Sequence, residues 1–177
     1  MKIYLTPVTK EDGKLIVKWR NSPIVSHHCF NRTPITEESN DKFYKDNVET
    51  GHYKQYMVNR LDDQYGVISY PIATVYLKDM DKVNKRCELC IFTSDDEEWN
   101  TESQKIAIQL LLKKAFGEFG MHKVYSYVFS CFHDEKNLLE NAGFHVEAIL
   151  KEEALSPDGI YWDAYRMAVF SDVFRSE

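Results

Sequence analysis

The stretch Cys87-Glu88-Leu89-Cys90-Ile91-Phe92-Thr93 is followed by an acidic turn, then by Trp99-Asn100-Thr101-Glu102-Ser103-Gln104, and then by a long apolar run ending at Gly120. A β-prone segment leads into a helical pattern, so we predict a strand, a loop and a helix. The free N–H groups in the first turn of such a helix attract anions. The stretch therefore predicts a phosphate-binding loop, although the loop itself contains no glycine.

The composition predicts one globular domain that spans residues 1–177. A hydrophobic fraction of 44% over 177 residues is enough to build a sizeable core and argues against disorder. The 22 basic and 28 acidic residues give a formal net charge of −6. This balance disfavours nucleic-acid binding, which needs a basic surface, and leaves cationic amines or peptides as candidate partners.

The sequence predicts a cytoplasmic protein. The segment 1–7 breaks off after a few apolar residues and is no signal peptide. No apolar run approaches the roughly 20 residues that span a bilayer. We expect Cys29, Cys87, Cys90 and Cys131 to be reduced thiols. On a strand, Cys87 and Cys90 would point to opposite faces, so the pair predicts neither a disulfide nor a metal site.

The hydrophobic pattern predicts a mixed sheet with helices packed on it, an α+β fold. The predicted strands are 3–8, 53–60, 67–77, 86–93, 124–129, 145–150 and 161–170. The predicted helices open at Thr9, follow an N-cap at Thr36, and span 102–119 and 134–141.

Blocks of sequence along nearly the whole chain carry a family resemblance. They are Trp19-Arg20-Asn21-Ser22-Pro23, Pro34-Ile35-Thr36-Glu37-Glu38, Ile72-Ala73-Thr74-Val75-Tyr76-Leu77, the stretch from Cys87, Gly120-Met121-His122-Lys123-Val124, Asn141-Ala142-Gly143-Phe144 and Asp158-Gly159-Ile160-Tyr161-Trp162-Asp163. The ordered set resembles the GNAT superfamily of acetyl-CoA-dependent N-acetyltransferases. It is most similar to the branch of the ribosomal-protein N-terminal, spermidine and amino-sugar-nucleotide acetyltransferases.

The resemblance implies a splayed mixed sheet that holds acetyl-CoA as co-substrate in the V between two parallel strands. The backbone of Ile91, Phe92 and Thr93 would pair with the pantetheine arm. The pyrophosphate would lie at the loop and first helical turn formed by Trp99, Asn100, Thr101, Glu102, Ser103 and Gln104. Acetyl transfer in such enzymes is direct, from the thioester to a primary amine of a small molecule or a peptide N-terminus.

The resemblance also implies roles for individual residues. Glu88 would assist proton removal through a water, while Tyr127 or Ser130 is assigned from position as the acid that protonates the thiolate. The acceptor side would be lined by residues from the first helix and the connector after it. These are Arg20, His27, His28 and Phe30. No metal is predicted, because two adjacent histidines lack further ligands at metal spacing.

The chain departs from the family pattern where the co-substrate binds. Glu102 and Gln104 stand where the family loop has glycine, Phe132 replaces an asparagine, and Leu139 replaces a tyrosine. A capping box from Thr101 to Gln104 would satisfy the helix terminus internally. A second hypothesis is therefore a GNAT-fold protein that binds a small ligand or a protein partner without acetyl transfer. A third is a homodimer formed through a final strand.

Overall fold

The computed structural model describes residues 2–62, 68–91 and 93–174. This part of the chain forms one mixed sheet with helices packed against it. The strands are β1 (Lys2–Pro7), β2 (Lys54–Asp62), β3 (Ile68–Asp81), β4 (Arg86–Cys90), β5 (Lys123–Phe129), β6 (His145–Leu155) and β7 (Tyr161–Phe170). The helices are α1 (Gly13–Asn21), α2 (Pro23–Ser26), α3 (Glu37–Phe43), α4 (Thr101–Lys113) and α5 (His133–Asn141).

The sheet has the strand order β1-β2-β3-β4-β5-β7-β6. Its neighbouring strands run antiparallel except β4 and β5, which are parallel. The parallel register extends only from Arg86 opposite Lys123 to Glu88 opposite Tyr125. Beyond Glu88 the two strands diverge, so the sheet splays as predicted. The predicted α+β fold is confirmed.

Two apolar clusters fix the helices to the sheet. The larger one joins β3, β4 and β5 to α4, whose Ile108, Leu111 and Leu112 are fully buried. The smaller one anchors α1 through Trp19, which is 1% exposed and packs with Met57 of β2. In the described residues, none of the helices has both the length and the apolar character to cross a membrane.

Several element boundaries differ from the sequence prediction. β4 ends at Cys90 rather than at Thr93, because Cys90 is its last residue paired with β3, while its pairing with β5 has already stopped at Glu88. β3 continues to Asp81, past a register shift at Lys78 and a positive φ of 50° at Asp79. The short helix α2 was not predicted. Most of the predicted turn 62–66 lies outside the described residues, whereas the Thr36 cap on α3 is confirmed.

Candidate active site

A cavity of about 240 Å³ lies where β4 and β5 diverge, and we call it the strand-end cavity. Glu88, which is 7% exposed, lines this cavity. Lys78, opposite Glu88 in the antiparallel β3–β4 register, places Nζ 3.2 Å from Glu88 Oε1. The Cys90 thiol donates to the same oxygen at 3.3 Å. One buried carboxylate is therefore held by a cation and a thiol at the point where the sheet opens.

The surroundings of Glu88 tune its acidity. Burial raises the pKa of Glu88 above its ordinary value, and the hydrogen bonds from Lys78 and Cys90 only partly oppose this. Burial disfavours the charged form of Lys78, but its interactions with Cys90 and Glu88 leave the Lys78 pKa raised. Glu88 is thus a stronger base than an exposed carboxylate and has a charged partner beside it.

β5 contributes an aromatic wall to this cavity. Tyr127 lines the strand-end cavity and meets the Phe30 ring edge-on at 5.8 Å. Tyr125 is buried beneath the Arg166 guanidinium, 4.3 Å from the ring centroid, and burial raises the Tyr125 pKa to about 12. Ser130 is not among the described residues that line the cavity, and its N–H donates to Asp163 O at 2.8 Å. Of the two acid candidates, only Tyr127 lines the cavity that contains Glu88.

A second depression of about 460 Å³ runs between α2, the loop before α4, and α5, and we call it the α4–α5 groove. Five carboxylates line it, with no lysine or arginine among the described lining residues. They are Asp95, Asp96, Glu97, Asp134 and Glu135. Four acids precede Trp99, and side chains hold their backbone: Ser94 Oγ accepts from Asp96 N at 3.0 Å, and Asp96 Oδ1 accepts from Glu98 N at 2.9 Å.

The first turn of α4 is capped by its own sequence. Asn100, extended at φ −96° and ψ 177°, accepts from the N–H groups of Glu102 and Ser103 at 3.1 and 3.2 Å. The Gln104 side chain donates to Trp99 O at 3.0 Å. The predicted capping box headed by Thr101 is wrong, because the cap lies one residue earlier and Gln104 does not return to it. The Asn100 side chain is exposed.

A bridge from the connector to α5 crosses one end of the α4–α5 groove. His28 Nδ1 pairs with Glu135 Oε1, and the His28 ring stacks on Phe132 with centroids 3.9 Å apart. Burial raises the pKa of Glu135, and the hydrogen bond from His28 lowers it in part. Leu139 is fully buried in the core and lines neither the strand-end cavity nor the α4–α5 groove.

A third cavity of about 390 Å³ lies on the other side of the connector, and we call it the α1–α3 cavity. It is bounded by α1, α3, β2 and β3. It shares five lining residues with the strand-end cavity, so the two spaces adjoin. They are Arg20, Cys29, Asn31, Tyr76 and Thr93.

The structure gathers part of the predicted set. Arg20, His28, Phe30, Glu88, Ile91, Thr93 and Tyr127 all line the strand-end cavity. Trp99, Thr101 and Gln104 line the α4–α5 groove, whereas Asn100, Glu102 and Ser103 form the helix cap beside it. His27 lines none of the three cavities, and Phe92 lies outside the described residues.

Sequence reasoning missed two residues that contact Glu88, namely Lys78 and Cys90. Lys78 was assigned to no site because the end of β3 was placed one residue before it. For Cys90 the sequence predicts only a reduced thiol outside any disulfide or metal site. A prediction of the β3–β4 register would have placed Lys78 opposite Glu88, since period-two alternation puts paired residues on one face.

Sequence comparison matches residues 2–145 to the family model described as the acetyltransferase (GNAT) domain. The chain belongs to this family. It is an acetyl-CoA-dependent N-acetyltransferase, as the resemblance implied. Nothing in the comparisons favours the hypothesis of a GNAT fold that binds a ligand without acetyl transfer. No curated protein sequence matches the chain.

Solved structures share the fold over nearly the whole chain. The spermidine N-acetyltransferase from Vibrio cholerae, in complex with CoA and spermine, has a TM-score of 0.83 at 20% identity, covering 97% of this chain and 96% of that one. A chimera of the Vibrio cholerae enzyme SpeG and hSSAT has a TM-score of 0.82 at 19% identity, covering 97% of each chain. At this identity the similarity establishes the architecture.

Proposed function

We propose that this acetyltransferase acts on a primary amine that enters from the α1–α3 cavity, with Glu88 as the proton acceptor. The observation that carries the proposal is the buried Glu88 carboxylate at the divergence of β4 and β5, with its pKa raised by burial. A general base works best when its pKa approaches the working pH. Burial moves Glu88 in that direction.

The residues of the strand-end cavity divide the chemistry between them. Acetyl-CoA supplies the activated acetyl group as a thioester. As the acceptor nitrogen bonds to the acetyl carbon, Glu88 takes the amine proton, directly or through a water. We assign Tyr127, which lines the same cavity, as the group that gives a proton to the departing sulfur. Lys78 stabilises Glu88 as a carboxylate between turnovers and orients it through the 3.2 Å contact.

The residues present fit the co-substrate at two places. Past Glu88 the edge of β4 has no strand partner on the β5 side, so the backbone at Ile91 and Thr93 is available to an extended arm. At α4, Asn100 Oδ1 occupies the position of an acceptor oxygen on two N–H groups. Because Asn100 is exposed, it can rotate away and leave both N–H groups to a phosphate.

The proposal extends to the branch of the family and to the class of acceptor. We place the chain in the branch of the ribosomal-protein N-terminal, spermidine and amino-sugar-nucleotide acetyltransferases, with a small-molecule amine or a peptide N-terminus as acceptor. The similarity to a spermidine N-acetyltransferase supports an amine acceptor. We also propose that residues 1–177 form a single cytoplasmic domain that does not bind nucleic acid, in line with the charge of −6.

A homodimer through the last hairpin is a further proposal. β6 lies at the edge of the sheet, and apolar side chains are exposed on this strand and beside it. They are Ile149, Leu155, Ile160 and Tyr161. Light scattering tests the assignment: twice the monomer mass is expected, and Ile149→Lys, which places a charge on this surface, should shift the protein toward monomer.

The Glu88→Gln variant tests the proposed base. It keeps the size and the Lys78 contact but cannot take a proton, so kcat should fall on the order of 100-fold or more. Acetyl-CoA binding, measured by calorimetry, should stay within a few-fold of the unchanged protein. The pH–rate profile should lose the limb that reports this carboxylate.

The matched control is Glu153→Gln, which removes an exposed carboxylate on β6. It should leave kcat, KM and the pH profile unchanged. Full activity of Glu88→Gln would remove Glu88 from the mechanism. Equal losses in both variants would point to a general charge effect instead of proton transfer.

A further inference from the structure

We propose that the acceptor carries a carboxylate a few bonds from its amine, and that Arg20 binds this carboxylate. The inference rests on the proposed function, because it assigns the α1–α3 cavity to the acceptor. Arg20 lines both this cavity and the strand-end cavity that contains Glu88. Arg20 therefore borders both the space that contains Glu88 and the cavity that we assign to the acceptor.

Arg20 is held in place yet has bonding capacity left. It stands near the end of α1, and its Nη2 donates to Asn31 O. The next residue, Asn21, makes two 2.8 Å hydrogen bonds to the backbone of Ile35 and so fixes the connector around Arg20. Nη1 is buried and has no hydrogen-bond partner among the described residues. A guanidinium with an unused buried N–H group is suited to a carboxylate oxygen.

The charge of the α1–α3 cavity argues against a polyamine as the acceptor. Arg20 is the sole charged side chain among its described lining residues, and none of them is a carboxylate. Asp41, on the adjacent helix, pairs instead with Lys10 at 3.3 Å. A polyamine would bring several positive charges next to Arg20 with no counter-ion in the cavity. The cavity thus favours an acceptor whose own charge is negative on this side.

One wall of the cavity is aromatic. Phe43 meets Tyr53 edge-on at 5.0 Å, and Tyr53 lies 5.6 Å from Tyr76, so three rings form one wall. The polar floor is already satisfied internally, since Gln55 donates to Thr74 at 2.9 Å and Thr74 donates onward to a backbone carbonyl at 3.1 Å. Such a wall packs against an apolar or aromatic side chain.

Together these features describe a compact amino-acid-like acceptor. Its amine lies at Glu88, its carboxylate at Arg20, and its apolar side chain against the three rings. The cavity volume of about 390 Å³ is within the range of small-molecule sites. Because the wall is aromatic, an aromatic amino acid is the natural first probe.

The experiment compares two acceptors that differ only in the carboxylate. L-Phenylalanine and phenethylamine are assayed with acetyl-CoA, and spermidine serves as the polycationic comparison. We expect kcat/KM for L-phenylalanine to exceed that for phenethylamine at least tenfold, and spermidine to be the poorest acceptor. The Arg20→Gln variant should cancel the difference by raising KM for L-phenylalanine, while phenethylamine changes by no more than a few-fold. Arg20→Lys should retain part of the preference.

Controls separate recognition from folding. Lys18→Gln removes an exposed cation from the same helix and should leave the preference intact. Thermal unfolding of each variant shows whether it is folded. Calorimetry with L-phenylalanine gives an Arg20-dependent signal that does not require turnover.

The outcomes distinguish the two proposals. Turnover of phenethylamine or spermidine without a preference for L-phenylalanine overturns this inference and leaves the proposed function standing. Arg20-dependent binding of L-phenylalanine without acetylation of any amine sustains the inference and overturns the proposed function. A folded protein that neither binds nor acetylates L-phenylalanine overturns the inference, as does an equal loss for both matched acceptors in Arg20→Gln.

Discussion

The α4–α5 groove and the α1–α3 cavity have opposite charge. The groove is acidic although an anionic co-substrate would bind there, and the cavity is basic although it would receive an amine. The groove, where phosphates of acetyl-CoA would approach, is lined by five carboxylates and no lysine or arginine among its described residues. The cavity on the acceptor side carries one guanidinium and no carboxylate among its described lining. A simple match of an anionic co-substrate to a basic groove does not hold here.

The contrast shows that a net charge does not describe a binding site. The formal charge of −6 favours cationic partners when read over the whole chain. Part of that charge is gathered at the groove, where the loop before α4 and the start of α5 meet. The α1–α3 cavity, by contrast, has no carboxylate among its described lining residues. Co-substrate binding must therefore depend on backbone donors and shape more than on charge attraction.

The largest effect on this comparison should come from neutralising the groove. Asp95→Asn combined with Glu97→Gln removes two like charges near the phosphates, each opposing binding by about 1 kcal/mol at an exposed site. We expect acetyl-CoA to bind about thirtyfold more tightly in low salt. Added salt should tighten acetyl-CoA binding to the unchanged protein, because it screens the repulsion between the groove carboxylates and the phosphates. The effect should be much smaller in the variant, which lacks two of these carboxylates. Calorimetry over a salt series measures both.

The control for this pair is Glu153→Gln with Asp172→Asn, two exposed carboxylates that do not line the groove. Both double variants change the net charge equally. If the control tightens acetyl-CoA binding as much as the groove variant does, the net charge of the protein governs affinity, and the carboxylates that line the groove have no special effect.

A smaller effect is expected at the helix cap that closes one side of the groove. Asn100→Ala removes the acceptor of two N–H groups and should lower the free energy of unfolding by about 1 kcal/mol. Acetyl-CoA should then raise the melting temperature more in the variant than in the unchanged protein, since the freed N–H groups gain a phosphate partner. Differential scanning fluorimetry with and without acetyl-CoA measures both shifts.

The neighbouring Thr101→Ala variant is the matched control for the cap. Its hydroxyl makes no cap contact in the structure, so stability should change little. If Thr101→Ala lowers the free energy of unfolding more than Asn100→Ala does, the result would support the capping box predicted from the sequence and contradict the observed cap.

The smallest effect concerns the buried carboxylates, Glu88 in the strand-end cavity and Glu135 in the groove. Both have a pKa raised above 4.5 by burial, so the folded state binds protons more strongly than the unfolded state. Their contribution to stability is complete below about pH 4.5 and is lost as the pH rises through the raised pKa values. As the pH rises from 4.5 toward neutrality, the free energy of unfolding of Glu88→Gln should therefore fall less than that of the unchanged protein. Urea unfolding at several pH values tests this, and parallel curves would contradict it.

Several elements could be predicted from local sequence. Alternating and helical apolar periods located the sheet strands, α1, α3, α4 and α5, because these periods record which face is buried. Strand ends were predicted less accurately where tertiary pairing decides them, as at Cys90, where the pairing of β4 with β3 stops. The helix α2 was missed because it comprises only Pro23–Ser26, too short to show a period.

The sequence by itself determined the family, the α+β order of elements and Glu88 as the candidate base, since these depend on motifs and periodicity along the chain. Only the tertiary structure decided which side chains share a cavity. Lys78 meets Glu88 through the β3–β4 register, and Arg20 reaches the same space from α1. The charge reversal between groove and acceptor cavity likewise arises from segments far apart in sequence, and no local pattern encodes such distances.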